Sequence, residues 1–338
     1  MQYSLNEITL LPSYMPTDIS SRSQVNPFTE DGNLPIFVAP MTSVVDENNY
    51  QKFIDNKVIP ILPRNCIDTR DQKDIWHSYS LQEFEAIVNS PRDYNGYHIL
   101  IDIANGHIQK LYDLVKTAKS KWPGMIIMVG NIAHPEMYLH CCKAGVDYVR
   151  VGIGGGSVCS TSIQTSIHAS HQWMIEGIKK IQKLISNTEK YKDPDYYEGI
   201  YNTNGFLTKV IADGGINRLD KAIKCLAIGY DYVMMGKCFA ECEEACGEIA
   251  VLPEGKMRCY YGMASLKGQE MISGSATKNP EGIETWIPVT NTLPKFTAQF
   301  EAALRSTMSY VGAHNLDELR NNTQYDIQSI EEFKSYYK

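Results

Sequence analysis

Two features of the sequence predict a (β/α)8 barrel. Short and nearly continuous apolar runs recur along the 338 residues, and each is followed by turn residues and then by a helical pattern. Strands of this composition are typical of parallel sheets covered by helices on both faces. In addition, residues 144–152 nearly repeat residues 228–236, and both read as a helix end, a glycine cap, a strand and a glycine-led loop. A (β/α) barrel repeats this unit, so eight such strands favour a closed barrel over an open, doubly wound sheet.

The eight strands are predicted at apolar runs spread over most of the chain, namely Ile36–Ala39, Val58–Leu62, Phe84–Val88, His98–Asp102, Met125–Val129, Tyr148–Val151, Lys209–Ala212 and Tyr232–Met235. Helices are predicted between them, among others at Ile108–Lys121, Glu136–Lys143 and Leu219–Leu226. The last helix has the apolar spacing of one buried face, and Asn217 is placed to cap it. We expect one catalytic barrel domain over residues 1–338, with a mobile flap at about 240–290, a C-terminal helix and no inserted regulatory domain.

Composition and charge exclude several classes of protein. The chain is 43% hydrophobic and 21% charged, which is ordinary for a globular protein. A net charge of −7 argues against a nucleic-acid partner, and no apolar run reaches the ~18 residues of a membrane span. The nine cysteines form no C-x-x-C pair, and no secretory signal begins the sequence. We therefore expect a cytoplasmic protein with reduced thiols.

Glycine-rich loops follow the last three predicted strands, where a barrel of this kind carries its catalytic groups. They lie at residues 152–161, 212–217 and 235–237. Glycine permits close approach of the backbone to a ligand, and main-chain amides in such a loop can bind an anion. Taken alone, each glycine-rich loop is more often an ordinary turn that binds no ligand. Three of them at one rim of a barrel favour a phosphorylated ligand.

Cys159 lies at the end of the first glycine-rich loop. A thiol placed near amides or a cation can react as the thiolate, which makes it a candidate nucleophile. The alternative is a buried, apolar cysteine, and this is our interpretation of most of the other eight.

Four motifs together resemble one enzyme family. They are residues 150–161, which contain Gly-Ser-Val-Cys-Ser-Thr, then residues 211–216, 261–263 and 280–282. The order and content are similar to the inosine monophosphate dehydrogenase and guanosine monophosphate reductase family, over about residues 5–325. The resemblance implies a (β/α)8 barrel, a homotetramer, a purine nucleoside monophosphate as substrate, and a covalent thioimidate between the loop cysteine and purine C2.

The two branches of this family differ in the chemistry that comes after the covalent step. The dehydrogenase oxidises its substrate with NAD and hydrolyses the adduct, whereas the reductase expels ammonia and receives hydride from NADPH. Three features favour the reductase. Residues 63–97 leave no room for a regulatory domain, Ile101–His107 resembles the reductase's cofactor loop, and residues 264–280 contain neither Arg nor Tyr. The dehydrogenase uses an Arg-Tyr pair in that flap to activate water.

The resemblance implies the roles of individual residues. Cys159 is the nucleophile, and Thr161 with Glu281 protonates the departing amine, which leaves poorly until it is protonated. Without the resemblance, Thr161 is a helix cap and Glu281 a solvated carboxylate. The implied substrate-binding residues are Met41, Ser157, Asp213, Gly215, Gly236, Lys237, Tyr260, Gly262, Met263 and Lys278. Among them, Asp213 is expected to accept hydrogen bonds from the ribose hydroxyls.

The resemblance also implies cofactor and cation sites. The residues matched to the NADPH side are Arg64, Asp102, Asn105 and Gly106. Arg64 could bind the 2′-phosphate through two parallel hydrogen bonds, with an ordinary surface arginine as the alternative. Carbonyls around Gly154 and Gly156 could hold a potassium ion.

Three departures from the family pattern leave the exact nucleotide open. Thr42 stands where the family has Asp, Lys237 replaces a small residue, and residues 165–172, with His168 and His171, replace a glycine-rich turn. A deoxy sugar or a modified purine is therefore an alternative to guanosine monophosphate. Two alternatives of function also stay open: a dehydrogenase without its regulatory domain, and a catalytically inactive barrel that binds purine nucleotides.

Overall fold

The computed structural model describes residues 1–187, 207–253, 255–274 and 280–329, with 331, 332 and 334. Its strands are β1 (Ile8–Leu11), β2 (Ile36–Val38), β3 (Ile59–Leu62), β4 (Trp76–Tyr79), β5 (His98–Asp102), β6 (Ile126–Ile132), β7 (Tyr148–Val151), β8 (Lys209–Asp213), β9 (Tyr232–Met235), β10 (Ile249–Leu252), β11 (Gly255–Tyr261), β12 (Glu284–Pro288) and β13 (Gln324–Ile327). Its helices are α1 (Tyr50–Asp55), α2 (Leu81–Val88), α3 (Gln109–Lys121), α4 (Met137–Lys143), α5 (Thr161–Thr165), α6 (His171–Asn187), α7 (Leu219–Ile228), α8 (Lys237–Ala240), α9 (Leu266–Ser273), α10 (Leu293–Val311) and α11 (Leu316–Asn322).

Strands β2 to β9 form a closed parallel barrel in chain order, with β9 pairing back to β2. This confirms the predicted (β/α)8 fold. Two antiparallel sheets lie outside the barrel: β1 pairs with β13, and β10, β11 and β12 form a sheet within the predicted flap. Within the described part of the chain, every helix is too short or too polar to span a membrane.

The barrel interior is filled by apolar side chains, among which four aromatic rings form a cluster. Phe37 contacts Trp76, Tyr148 and Tyr232, with ring centroids 5.1–5.9 Å apart. Such tilted and edge-on contacts suit the charge distribution of aromatic rings. The opposite faces of the same strands pack against the surrounding helices in a larger apolar cluster. Side chains therefore alternate between an inner and an outer core, as a parallel barrel requires.

The third predicted strand was wrong. Phe84–Val88 is the buried face of α2, which begins with Ser80 and Glu83 in a capping box. The strand is β4, whose polar His77 and Ser78 hid it from a search for apolar runs. Both side chains are buried, and they find partners outside their own strand: Ser78 Oγ donates to the Leu62 carbonyl at 2.7 Å, and a ring nitrogen of His77 lies 3.0 Å from the Thr69 hydroxyl.

Smaller differences concern helix ends. The helices predicted to begin at Ile108 and Glu136 begin one residue later, within the usual uncertainty of helix termini. The prediction that Asn217 caps α7 was wrong, because Arg218 occupies the N-cap position. The Asn217 side chain instead accepts a hydrogen bond from Lys221 Nζ at 3.2 Å.

Candidate active site

A cavity of about 210 Å³ lies at the carboxyl ends of the barrel strands. It is lined by the loops that follow β2, β7, β8 and β9 and by the residues after β11. The structure brings nine of the predicted substrate residues to this cavity, namely Met41, Ser157, Asp213, Gly215, Gly236, Lys237, Tyr260, Gly262 and Met263. Lys278 falls outside the described residues. A larger cavity of about 810 Å³, between β1, β13, α7 and α10, contains none of these side chains.

A continuous chain of hydrogen bonds joins the three predicted catalytic residues. The Cys159 thiol donates to Thr161 Oγ1 over 3.3 Å, and the Thr161 hydroxyl donates to Glu281 Oε2 over 2.7 Å. Cys159 and Glu281 both line the cavity. Since the threonine hydroxyl can accept and donate at once, a proton can pass between the sulfur and the carboxylate through it.

Main-chain contacts hold Glu281 beside the cysteine loop although 120 residues separate it from Thr161. The Ser160 N–H donates to the Glu281 carbonyl at 2.9 Å, and Cys159 and Gly282 form an antiparallel bridge. The Gln164 side chain also donates to the Pro280 carbonyl at 2.8 Å. The end of the flap is therefore attached as a short strand to the loop that carries the nucleophile.

Cys159 differs from the other eight cysteines in its surroundings. Seven of the others are buried and Cys246 is partly buried, which confirms that most of them are core residues. Burial raises the pKa of all eight thiols, to about 12 for Cys66, Cys238 and Cys242, so they stay protonated at neutral pH. Cys159 is partly exposed and faces the cavity.

An ionic cluster that sequence reasoning missed forms the floor of the cavity. Arg150 contacts Asp102 Oδ1 at 2.6 Å and Asp213 Oδ2 at 2.8 Å, and Asn131 donates to the same Asp213 oxygen at 2.8 Å. Burial alone would lower the pKa of Arg150, but Asp213 and Asp102 together raise it above its ordinary value. The sequence signal was a charged residue inside an otherwise apolar strand.

This cluster changes the expectation for Asp213. Its Oδ2 accepts hydrogen bonds from Arg150 and Asn131, so one carboxylate oxygen is already engaged. Among the described residues no donor reaches Oδ1, which leaves that oxygen for a ligand. The predicted pair of ribose contacts must therefore share a single carboxylate oxygen.

The predicted cofactor residues are only partly brought together. Asp102 lines the cavity but is paired with Arg150. Asn105 and Gly106 do not line it: the Asn105 side chain accepts from the His107 N–H, and the Gly106 N–H donates to the Asn131 carbonyl. Arg64 also lies outside the cavity lining, and its guanidinium has no hydrogen-bond partner within the described part of the chain.

Other residues that the sequence analysis singled out already have hydrogen-bond or ion-pair partners within the protein. Buried Thr42 donates to the Tyr261 hydroxyl at 3.0 Å, so it faces the flap. The Lys237 ammonium lies 3.7 Å from Glu241 and lines the cavity. The carbonyls of Gly154 and Gly156 accept hydrogen bonds from the Ser162 hydroxyl and the Cys159 N–H, and potassium at this loop stays a prediction.

The structure is a (β/α)8 barrel in which Cys159 and the glycine-rich loops after β7, β8 and β9 line one cavity. Residues 80–334 match the family described as the IMP dehydrogenase / GMP reductase domain, and the chain belongs to this family. The family resemblance stated from the motifs is thereby confirmed. Its members are oxidoreductases that use a nicotinamide dinucleotide.

Curated relatives come from both branches. The chain is 31% identical over 303 residues to an inosine-5′-monophosphate dehydrogenase of Chlorobaculum parvum, which covers 83% of this chain and 56% of the relative. It is 34% identical over 238 residues to the dehydrogenase of Pasteurella multocida, covering 67% and 44%. It is 27% identical over 336 residues to a GMP reductase of Shouchella clausii, covering 94% and 93%. The chain thus spans about half the length of the dehydrogenases that it matches.

Proposed function

We propose that the protein catalyses the NADPH-dependent reductive deamination of GMP, or of a closely related purine nucleoside monophosphate, to IMP and ammonia. The observation that carries this proposal is the hydrogen-bonded chain from Cys159 through Thr161 to Glu281. Deamination needs a nucleophile to attack purine C2 and an acid to protonate the leaving amine. Cys159 and Glu281, the proposed nucleophile and acid, both line the cavity, which supports this proposal.

The reaction uses the three residues in sequence. The Cys159 thiol passes its proton through Thr161 to Glu281, and the thiolate bonds to C2 as the π pair of the C2–N3 double bond moves to N3. The same relay returns the proton to the exocyclic amine, which leaves as ammonia as the C2–N3 double bond forms again. NADPH, when bound, would supply hydride to C2. The carbon–sulfur bond then breaks, its electron pair returns to Cys159 as thiolate, and a proton from solvent restores the thiol.

The cavity residues supply ground-state binding rather than chemistry. The Lys237 ammonium suits the 5′-phosphate, as does the Gly215 N–H, for which no described residue is an acceptor. Asp213 Oδ1 suits a ribose hydroxyl. Met41 and Met263 line the part of the cavity that would hold the base. Since these contacts form equally in substrate and transition state, they set affinity more than turnover.

Among the described residues, Arg64 is the group best suited to bind the 2′-phosphate of NADPH. The Arg64 Nε is buried without a hydrogen-bond partner, and an unpaired guanidinium fits the 2′-phosphate that distinguishes NADPH from NADH. Arg150 is already paired with Asp102 and Asp213 at the cavity floor, so it is not available to bind the cofactor's phosphates.

Two observations favour the reductase over the dehydrogenase. Residues 264–280 contain no Arg or Tyr that could activate water for hydrolysis of the adduct. In addition, the matched GMP reductase is covered over 93% of its length, against 56% for the Chlorobaculum parvum dehydrogenase. The higher identity to the dehydrogenases, 31–34% against 27%, keeps IMP oxidation as the second candidate.

One panel of reactions tests the choice. The protein is mixed with GMP, dGMP, IMP or XMP and with each oxidised or reduced dinucleotide, while nicotinamide absorbance and ammonia are followed. We expect GMP with NADPH to react and to release one ammonia per NADPH consumed, with Cys159→Ala as the inactive control. Steady formation of XMP from IMP and an oxidised dinucleotide would replace this proposal with the dehydrogenase.

A further inference from the structure

His171 is the first residue of α6 and lies in the segment that replaces the family's glycine-rich turn. Its Nε2 lies 2.8 Å from the carbonyl oxygen of Gly214, in the loop that follows β8. Its Nδ1 lies 3.3 Å from the Tyr230 hydroxyl, which also donates to the His171 carbonyl at 3.1 Å. The ring is thus held between one glycine carbonyl and one buried tyrosine.

The protonation of the ring depends on its partners. Burial lowers the pKa of His171, so the imidazole is neutral at neutral pH. A carbonyl only accepts hydrogen bonds, so the single ring proton lies on Nε2 and is donated to Gly214. Nδ1 is then an acceptor, and the single proton of the Tyr230 hydroxyl is shared between Nδ1 and the His171 carbonyl. The contact with Gly214 therefore fixes the tautomer of the ring.

This hydrogen bond decides which way the next N–H points. The carbonyl of Gly214 and the N–H of Gly215 belong to one trans peptide, so they point in opposite directions. His171 lines a separate cavity of about 380 Å³ on the far side of the loop and does not line the substrate cavity. The Gly215 N–H therefore points to the substrate side, where no described residue accepts its hydrogen bond.

The loop needs an external contact to hold this orientation. Gly214 and Gly215 have φ of +93° and +76°, and two adjacent glycines can rotate their shared peptide at little cost. Side chains contact each of three consecutive residues: Arg150 binds Asp213, His171 binds the Gly214 carbonyl, and Lys221 donates to the Gly215 carbonyl at 3.2 Å. Among the described residues, only His171 contacts the peptide that carries the Gly215 N–H with its side chain.

We propose that His171 is a positioning residue that turns the Gly214–Gly215 peptide so that its N–H donates to the 5′-phosphate of the bound nucleotide. It acts through the backbone and does not touch substrate. The inference deepens the proposed function, since it rests on a purine nucleoside monophosphate occupying this cavity. It does not depend on whether that nucleotide is reduced or oxidised.

Equilibrium binding tests the inference without relying on turnover. Dissociation constants are measured by calorimetry for GMP and IMP and for the matching nucleosides, guanosine and inosine. In His171→Ala we expect the monophosphates to bind about tenfold more weakly, equivalent to about 1.4 kcal/mol, and the nucleosides to bind as before. His171→Gln, whose side-chain amide can donate to the same carbonyl, is expected to restore monophosphate binding to within about threefold. Exposed His168 provides the matched control, and His168→Ala should leave every constant unchanged.

The outcomes separate this inference from the proposed function. Equal weakening of nucleosides and monophosphates in His171→Ala would overturn it, because His171 would then support the whole pocket and not one N–H. So would failure of His171→Gln to restore binding at an unchanged melting temperature. A protein that binds GMP in the expected pattern but releases no ammonia would support the inference and refute the proposed reaction. If no purine monophosphate binds, both fail.

Discussion

Residues 144–152 and 228–236, the first and second repeats, begin in the same way. Each ends a helix with a positive-φ glycine, Gly145 or Gly229. Each then places an aspartate whose Oδ2 accepts the N–H of the preceding strand at 2.7 Å, Asp147 from Ile127 and Asp231 from Val210. The tyrosines that come next meet inside the barrel with ring centroids 5.8 Å apart. The amino ends of the two repeats are built alike.

The carboxyl ends of the repeats differ. Two residues beyond the tyrosine, the first repeat has Arg150, paired with two aspartates, and the second has buried Met234. The first repeat leads into the loop of Cys159, and the second turns at once into α8. The comparison indicates that the amino ends of these strands maintain the barrel while the carboxyl ends carry chemistry. Variants at the two ends should therefore fail in different measurements.

The largest effect is expected at the carboxyl end of the first repeat. Cys159→Ala should abolish turnover, because no other cysteine of the described residues lines the cavity. Nucleotide affinity should stay within about tenfold, or about 1.4 kcal/mol, since the thiol bonds to substrate only during reaction. Turnover is followed by NADPH absorbance and binding by calorimetry. Substantial residual turnover would exclude covalent catalysis.

The proton relay should give the next largest effect. Thr161→Ala and Glu281→Gln should each slow ammonia release by about 10²–10⁴, the usual contribution of positioned acid–base catalysis. Single-turnover measurements of ammonia and of NADPH oxidation separate this step from hydride transfer. Thr165→Ala, on the same short helix and outside the relay, is the matched control. Equal rates in Thr161→Ala and Thr165→Ala would remove Thr161 from the mechanism.

Features that depend on neighbouring residues in the chain were predicted from the sequence, and features that depend on tertiary contacts were not. Apolar runs and the repeat itself predicted the barrel, because those patterns depend only on residues close in the chain. Strand β4 was missed because its polar His77 and Ser78 are satisfied from outside the strand, by Thr69 in a turn and by the Leu62 carbonyl on β3. Such tertiary satisfaction of polar groups leaves no periodic signal.

At the site, sequence motifs predicted the functional residues within one loop but not the contacts between different loops and strands. Cys159 and Thr161 lie two residues apart, whereas Glu281 reaches them only through the flap, and the family resemblance supplied it. Arg150 and Asn131 were missed because their roles depend on Asp102 and Asp213, which lie on two other strands. Spacing along the chain does not encode those contacts.

At the amino end of the first repeat, the expected failure is in stability. Asp147 and Lys119 form an ion pair at 2.5 Å, with side chains only 4% and 6% exposed. Asp147→Asn leaves the lysine buried without its counter-charge, so the free energy of unfolding should fall by about 3–5 kcal/mol. Urea unfolding measures this loss. Recovery of about half or more in the double variant Lys119→Met with Asp147→Asn is expected, and its absence would show that the charge was not the cause.

A substitution of Arg64, just after the carboxyl end of β3, should change the binding of the dinucleotide cofactor. Arg64→Ala should weaken NADPH by about 1.5–3 kcal/mol, because its unpaired guanidinium is proposed to bind the 2′-phosphate. NADH lacks that group and should bind equally well to both proteins. Fluorescence titration with each dinucleotide makes the comparison. Equal weakening of NADPH and NADH would assign Arg64 a structural role.

The smallest effect is expected from the same substitution at the amino end of the second repeat. Asp231 is paired with Arg320 at 3.7 Å, and their side chains are 24% and 18% exposed, so solvent screens the pair. Burial raises the pKa of both Asp231 and Asp147, so the expected difference between them rests on the geometry and exposure of their ion pairs. In Asp231→Asn the amide oxygen can still accept from the Val210 N–H, and the loss of unfolding free energy should be about 1 kcal/mol. Asp231→Ala removes the acceptor and should lower the free energy of unfolding by about 1–3 kcal/mol, provided that no water replaces the carboxylate at the Val210 N–H. Asp231→Asn could instead lower the free energy of unfolding as much as Asp147→Asn does. The two aspartates would then contribute equally to stability, and the repeats would differ in function only from Arg150 onward.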